Sequence, residues 1–169
     1  MFDFTLKKDI KVETIKTIID KFCFCYHQDF RFTYTKSQDW IKGDQDPSDL
    51  AASLIASLNS WGAGRRKAPR LRSQEEVAAA LSAPHVRERL IRLREYALGN
   101  SKKSISDDLF EITKHLAETL FVSNATTLTY PMKACLLLSG ACVAFDGNVR
   151  SGLFKLGYRG LSTPIAVPY

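Results

Sequence analysis

Apolar residues recur along much of this chain at the spacing of helices. Between Lys11 and His27, Ile15, Ile18, Ile19, Phe22, Cys23 and Tyr26 fall at i, i+3, i+4, i+7, i+8 and i+11, one face of a helix held for three turns. The next segment, Phe30-Arg31-Phe32-Thr33-Tyr34-Thr35, alternates aromatic and polar residues, which is the period of a half-buried strand or extended arm. Gly43 to Pro47 reads as a loop, and Ser48 or Asp49 is placed to cap a helix running to about Trp61. That helix carries Leu50, Leu54, Ile55 and Leu58 on one face, and Gly62-Ala63-Gly64 ends it.

Ser73-Gln74-Glu75-Glu76 matches a capping box, in which hydroxyl and glutamate each satisfy the other's backbone amide, and predicts a short helix to Leu81. Pro84 suits the first turn of a further helix to about Leu98, with Val86, Leu90, Leu93 and Ala97 as its apolar stripe and Gly99-Asn100 as its stop. Ser106, Asp107 and Asp108 open another, because negative charge is favoured at a helix N-terminus, and it carries Leu109, Ile112, Leu116 and Leu120. The nearly all-apolar segment from Pro131 through Cys142 lacks a polar face, which predicts a helix at the centre of the domain. Asp146 is positioned to cap a last helix through about Leu156.

These elements predict a mainly α protein: a single compact multi-helix domain over residues 1–169, with at most a short strand or extended arm near residues 30–35. A basic loop occupies residues 62–73 and an irregular C-terminal tail residues 157–169. At 169 residues the chain suffices for one continuous core, and 45% hydrophobic with 25% charged residues excludes disorder or a fibrous repeat. The stretch MFDFTLKKDIKVETIK has no uninterrupted apolar run, so a signal peptide or membrane span is not expected there, and the expected location is cytoplasmic. In that setting Cys23, Cys25, Cys135 and Cys142 are expected to be reduced thiols.

The net charge of +6 is unevenly spread. Residues 1–50 hold 8 basic and 9 acidic side chains, residues 51–110 hold 11 and 6, and residues 111–169 hold 5 and 3. The densest run is Gly62-Ala63-Gly64-Arg65-Arg66-Lys67-Ala68-Pro69-Arg70-Leu71-Arg72, which contains no acid. Guanidinium forks and an ammonium group suit phosphate oxygens, and glycines allow close backbone approach, so Arg65, Arg66, Lys67, Arg70 and Arg72 point to a nucleic-acid backbone. Arg87, Arg89, Arg92 and Arg94 extend the arginine-rich surface, with Glu88 and Glu95 as internal partners, and Arg89, Arg92 and Arg150 are counted among the nucleic-acid-binding residues. The alternatives are a solvated charged loop and helix face, or a helical adaptor whose arginines meet an acidic protein partner. Trp40, Trp61, Phe30 and Tyr34 exposed together would favour the adaptor.

A second constellation joins Pro131-Met132-Lys133-Ala134-Cys135-Leu136-Leu137-Leu138 to Ala144-Phe145-Asp146-Gly147-Asn148-Val149-Arg150. A lysine on an apolar helix and a carboxylate opening the next helix become chemically useful if they share a cleft. In Lys133, Asp146 and the Val149-Arg150 pair, residues 105–158 resemble the catalytic half of the helix-hairpin-helix DNA glycosylase superfamily. Hairpin glycines are absent from Thr126-Thr127-Leu128-Thr129-Tyr130-Pro131. The resemblance implies that Asp146 assists departure of a flipped-out base and that Lys133 attacks the sugar to form a Schiff base. On residue chemistry alone, Asp146 is an ordinary helix cap and Lys133 a first-turn lysine reaching solvent.

No cofactor is expected. Cys23, Cys25 and His27 are zinc-ligand types, but on one helix Cys25 points away from the other two. Cys135 and Cys142 read as small buried hydrophobes. Asp44, Asp46 and Asp49 lack calcium-loop spacing, and neither His85 nor His115 belongs to a recognisable nucleophile-base motif. The function expected from the whole is a nucleic-acid-binding helical domain, DNA foremost, in base excision or DNA processing.

Overall fold

In a computed structural model, seven helices fold together among the described residues, which are 12–65, 68–99, 105–123, 128–142, 144 and 146–155, without the side chains of 12, 14–15 and 18–27. They are α1 (Val12–Lys42), α2 (Pro47–Ser60), α3 (Gln74–Leu81), α4 (Pro84–Ala97), α5 (Ser106–Thr119), α6 (Thr129–Ser139) and α7 (Gly147–Lys155). No helix among them is long and apolar enough to cross a membrane. The tail at 157–169 lies outside the described residues, as do the Cys23, Cys25 and His27 side chains.

Residues 30–35 are not a strand or an arm. They continue α1 without a break, because their inward positions follow a helical period that small polar residues disguise. Phe30, Thr33, Ser37, Trp40 and Ile41 turn toward α2 and α6, and Thr33 and Ser37 are fully buried. Phe30 and Tyr34, one turn apart, stack with ring centroids 5.3 Å apart. The buried hydroxyls are satisfied across helices: Thr33 Oγ1 donates to the Ser53 carbonyl at 3.2 Å and lies 2.7 Å from Ser57 Oγ. Ser37 Oγ donates to the Leu138 carbonyl at 2.7 Å. That carbonyl belongs to the last turn of α6, where no intrahelical donor remains to take it.

The N-cap of α2 is Asp46, not Ser48 or Asp49. Its Oδ1 accepts the Ser48 amide at 2.6 Å, and Pro47 fills the first helical position, where a missing N–H costs nothing. α3 has the capping box expected of Ser73 and Glu76, with both reciprocal bonds present. α4 begins at Pro84 as its sequence predicts.

α6 sits at the centre, packed against α1, α2, α4 and α5, and buries Pro131, Met132, Ala134, Cys135, Leu137 and Leu138. It ends at Ser139, short of the expected Cys142, because Gly140 takes a left-handed conformation with φ of 69°. The ring of Tyr34 fixes that ending: a Cβ on Gly140 would stand 3.2 Å from Tyr34 Cε2. Cys142 therefore lies beyond the helix, its thiol held up by hydrogen bonding to Cys135 and by burial, so it stays protonated.

Between α2 and α3 the chain makes a tight turn. Gly62 and Gly64 adopt φ of 98° and 71°, and the Gly64 amide donates to the Pro69 carbonyl at 2.9 Å. The following residues form an isolated antiparallel bridge, Leu71 with Phe121, in which Arg72 N donates to Leu120 O and Val122 N to Arg70 O, each at 2.9 Å. Phe121 is fully buried beneath this bridge.

Candidate functional site

Two neighbouring helix ends and a turn meet around Lys133. As the fifth residue of α6 it projects one turn beyond the helix start, toward the C-terminal end of α2. Its Nζ donates to the Trp61 carbonyl at 3.4 Å and lies 5.0 Å from the centroid of the Tyr130 ring. It stands 3.8 Å from Asp146 Oδ2, with only 13% of the lysine side chain exposed. Lysine and aspartate, separated in sequence, are thus an ion pair in the folded chain.

Asp146 serves two ends at once. Oδ2 faces the lysine, while Oδ1 accepts the Asn148 and Val149 amides at 2.9 and 3.0 Å and so caps α7. Arg150 Nε donates to the Asp146 carbonyl at 3.4 Å. α7 buries none of its residues, so the cap carries unusual weight in holding it. Asp146→Ala is expected to raise amide exchange throughout residues 147–155, with a loss of about 0.5–2 kcal/mol. Asp146→Asn, which can still accept the two amides, is expected to leave exchange near the wild-type rate. Equal acceleration in both variants would show that the ion pair, and not the cap, holds the helix.

The basic turn reaches the same place. The Tyr130 hydroxyl approaches Gly62 closely, since a Cβ there would meet it at 3.1 Å. Burial pushes the Tyr130 hydroxyl above its usual pKa; the Arg65 charge works against that shift and the Asp146 charge with it. Tyr130, Lys133, Asp146 and Arg65 therefore share one electrostatic neighbourhood. The sequence pattern alone does not single out Tyr130, although its position three residues before Lys133 puts both on one helical face.

The expected phosphate-binding residues divide by what already holds them. Arg65 and Arg70 are exposed and meet no acidic side chain among the described residues. Arg66 and Lys67 lie outside the described residues. Arg72 pairs with Glu76 at 3.0 Å. On α4, Arg92 grips Asp108 with two hydrogen bonds of 2.8 Å and Arg89 adds a third at 3.0 Å, joining α4 to α5. Arg87 donates to the Ile41 carbonyl, placing its charge at the C-terminal end of α1. Any phosphate reaching Arg89 or Arg92 would have to compete with Asp108.

The aromatic residues that would mark a protein-docking face are not exposed together. Trp40 is buried, Phe30 and Trp61 pack against the core, and Trp61 Nε1 donates to Asp29 Oδ2 at 3.2 Å. Met132, next to Lys133, lines an apolar cavity of about 250 Å³ between α5 and α6 with Leu109, Phe110, Thr113 and Leu128. That space is smaller than most ligand pockets, and neither Lys133 nor Asp146 lines it. Asp46 is a helix cap and Asp49 accepts from Gln45, and no three His, Cys, Asp or Glu side chains converge as metal ligands among the described residues. No protein-family model, curated protein or solved structure matches the chain.

Proposed function

We propose that this protein is a nucleic-acid-binding helical domain that holds DNA phosphates on the turn between α2 and α3. The observation that carries the reading is the exposure of Arg65 and Arg70 without an acidic side chain against them among the described residues, with Arg65 in the electrostatic neighbourhood of Tyr130 and Asp146. Gly62 and Gly64 in left-handed backbone and the hydrogen bond from Gly64 to Pro69 shape the two described sides of that turn, where Arg65 and Arg70 are exposed. Guanidinium groups without an acidic partner are the ones free to exchange counterions for phosphate. The packed aromatics give no support to the adaptor alternative.

In its sharper form, drawn from the resemblance to DNA glycosylases, Asp146 assists base departure and Lys133 attacks the sugar. The 3.8 Å separation supports a shared role for the two groups.

Binding to labelled duplex and abasic DNA across a salt series tests the proposal. Wild type is expected to bind at about 50 mM salt and to weaken linearly in log–log form. Arg65→Ala with Arg70→Ala is expected to flatten that slope by about 2, one for each lost phosphate contact. Arg89→Ala is expected to change stability more than the slope. Absence of binding at low salt would overturn the reading. Borohydride trapping on abasic DNA tests the chemistry separately: a covalent adduct abolished by Lys133→Gln supports it, and no adduct removes the Schiff-base step.

A further inference from the structure

His85 and His115 meet at the junction of α4 and α5, and neither belongs to the Lys133 and Asp146 pair or to the basic turn. His85 is the second residue of α4 and is exposed, whereas His115 is half-buried in the third turn of α5. His85 Nε2 lies 3.4 Å from His115 Nδ1, and the two rings stand edge to face, 89° apart with centroids separated by 4.8 Å.

The remaining nitrogen of His115 determines what this contact is. His115 Nε2 lies 3.0 Å from the Ala80 carbonyl, which can only accept, so Nε2 carries the proton. In the neutral ring Nδ1 then accepts, and at 3.4 Å the contact is a hydrogen bond from His85 Nε2–H that a metal ion would replace. An imidazole that donates one nitrogen to a backbone carbonyl and presents the other as a lone pair has the arrangement that orients histidine ligands in metal sites. His85, exposed at its helix end, needs only the other neutral tautomer to present Nε2 in the same way.

The spacing fits one ion. Two nitrogens each bound at 2.0–2.1 Å to a tetrahedral centre stand about 3.3–3.4 Å apart. The observed 3.4 Å matches that bite. We propose that His85 and His115 form a two-imidazole chelate for a divalent transition metal of the zinc, nickel or copper class, linking α4 to α5. No third protein ligand converges there among the described residues, so water or an external ligand completes the coordination shell. Imidazole suits these metals, whereas magnesium and calcium prefer oxygen ligands and do not suit this site. The site is independent of the nucleic-acid reading.

The test is titration of the full chain with zinc chloride and, separately, nickel chloride in a non-chelating buffer, followed by calorimetry, imidazole nitrogen NMR and thermal melting. The expected result is that the His85 Nε2 and His115 Nδ1 resonances shift together and saturate at one ion per site. The melting temperature should rise by about 5–10 °C when free metal reaches a hundred times the dissociation constant. His85→Ala leaves the His115 to Ala80 bond in place and is expected to weaken that binding by about tenfold or more, because one imidazole of the chelate is lost. His115→Gln provides a second variant that retains a donor for Ala80. Unshifted His85 and His115 resonances at saturating metal, or unchanged affinity in His85→Ala, would overturn the proposal. Equal response to magnesium would overturn it as well.

Discussion

Phe121→Ala is expected to lower the melting temperature by about 6–20 °C. Truncating a fully buried phenylalanine costs about 3–5 kcal/mol, since transfer free energy is lost and a cavity remains. In a chain of this size each kcal/mol is worth about 2–4 °C. Phe121 is among the largest fully buried side chains, and its backbone forms the bridge that pins residues 70–72. The loss therefore extends beyond the core: with the bridge loosened, Arg70 and Arg72 are no longer held in register with Arg65. Thermal melting measures the first effect. A flattened salt dependence of DNA binding at a temperature where the variant is still folded measures the second. A fall of less than about 3 °C would mean that the surrounding leucines close over the gap.

Asp108→Ala is expected to follow, at about 1.5–3 kcal/mol, through the loss of charge-assisted hydrogen bonds from two arginines. Arg92, with its paired hydrogen bonds, is the principal cause that holds the Asp108 carboxyl below its usual pKa of 3.8, and partial burial opposes it. Arg89 adds a weaker pull in the same direction. A lowered folded-state value means that the unfolded chain binds the proton first as pH falls. The Asp108 contribution is therefore complete above about pH 3.8 and disappears as pH falls through the lower folded value, below which both states are protonated. Denaturant titrations from pH 6 down to pH 2 should show wild type and Asp108→Asn converging at the acid end. A gap that stays constant over that range would show that packing, not ionisation, accounts for the effect. High salt should narrow the gap at neutral pH, because Arg92 is half exposed.

Much of this fold is written in local signals. Ser73 with Glu76, Pro84 at a helix start, Gly99 after a helix end and Asp146 before α7 are all decided within four residues of themselves, and each element stands where those residues place it. The apolar run around Lys133 similarly marks α6 as central, because a helix without a polar face has no place at the surface.

What was illegible depended on partners distant in sequence. Thr33 and Ser37 are polar letters in an inward stripe, and only Ser57 and Leu138 across the interface make those positions tolerable. Without them, the alternation of Phe30, Phe32 and Tyr34 carries the stronger local signal, that of a strand. The arginines of α4 were equally ambiguous. Arg89 and Arg92 lie one turn apart and converge on a carboxylate from α5, while Arg65 and Arg70 meet none among the described residues. Composition counts all four alike. Lys133 and Asp146 were legible as residues of interest, but their contact depends on how the chain turns after Gly140, and Tyr130 became visible only through its contact with Lys133.

The bond from Ser37 to Leu138 joins residues 101 positions apart. During synthesis at about 5–20 residues per second, α1 therefore exists for about 5–20 seconds before the α6 carbonyl that completes its inner face has been made. Over that interval α2 is the neighbour already available to cover Thr33, whereas the contact from Ser37 must wait for α6. A ribosome paused after α2 has left the exit tunnel and before α6 is made would carry a nascent chain whose Ser37 hydroxyl still binds water, and a chaperone would find the uncovered side of α1 and α2 facing it.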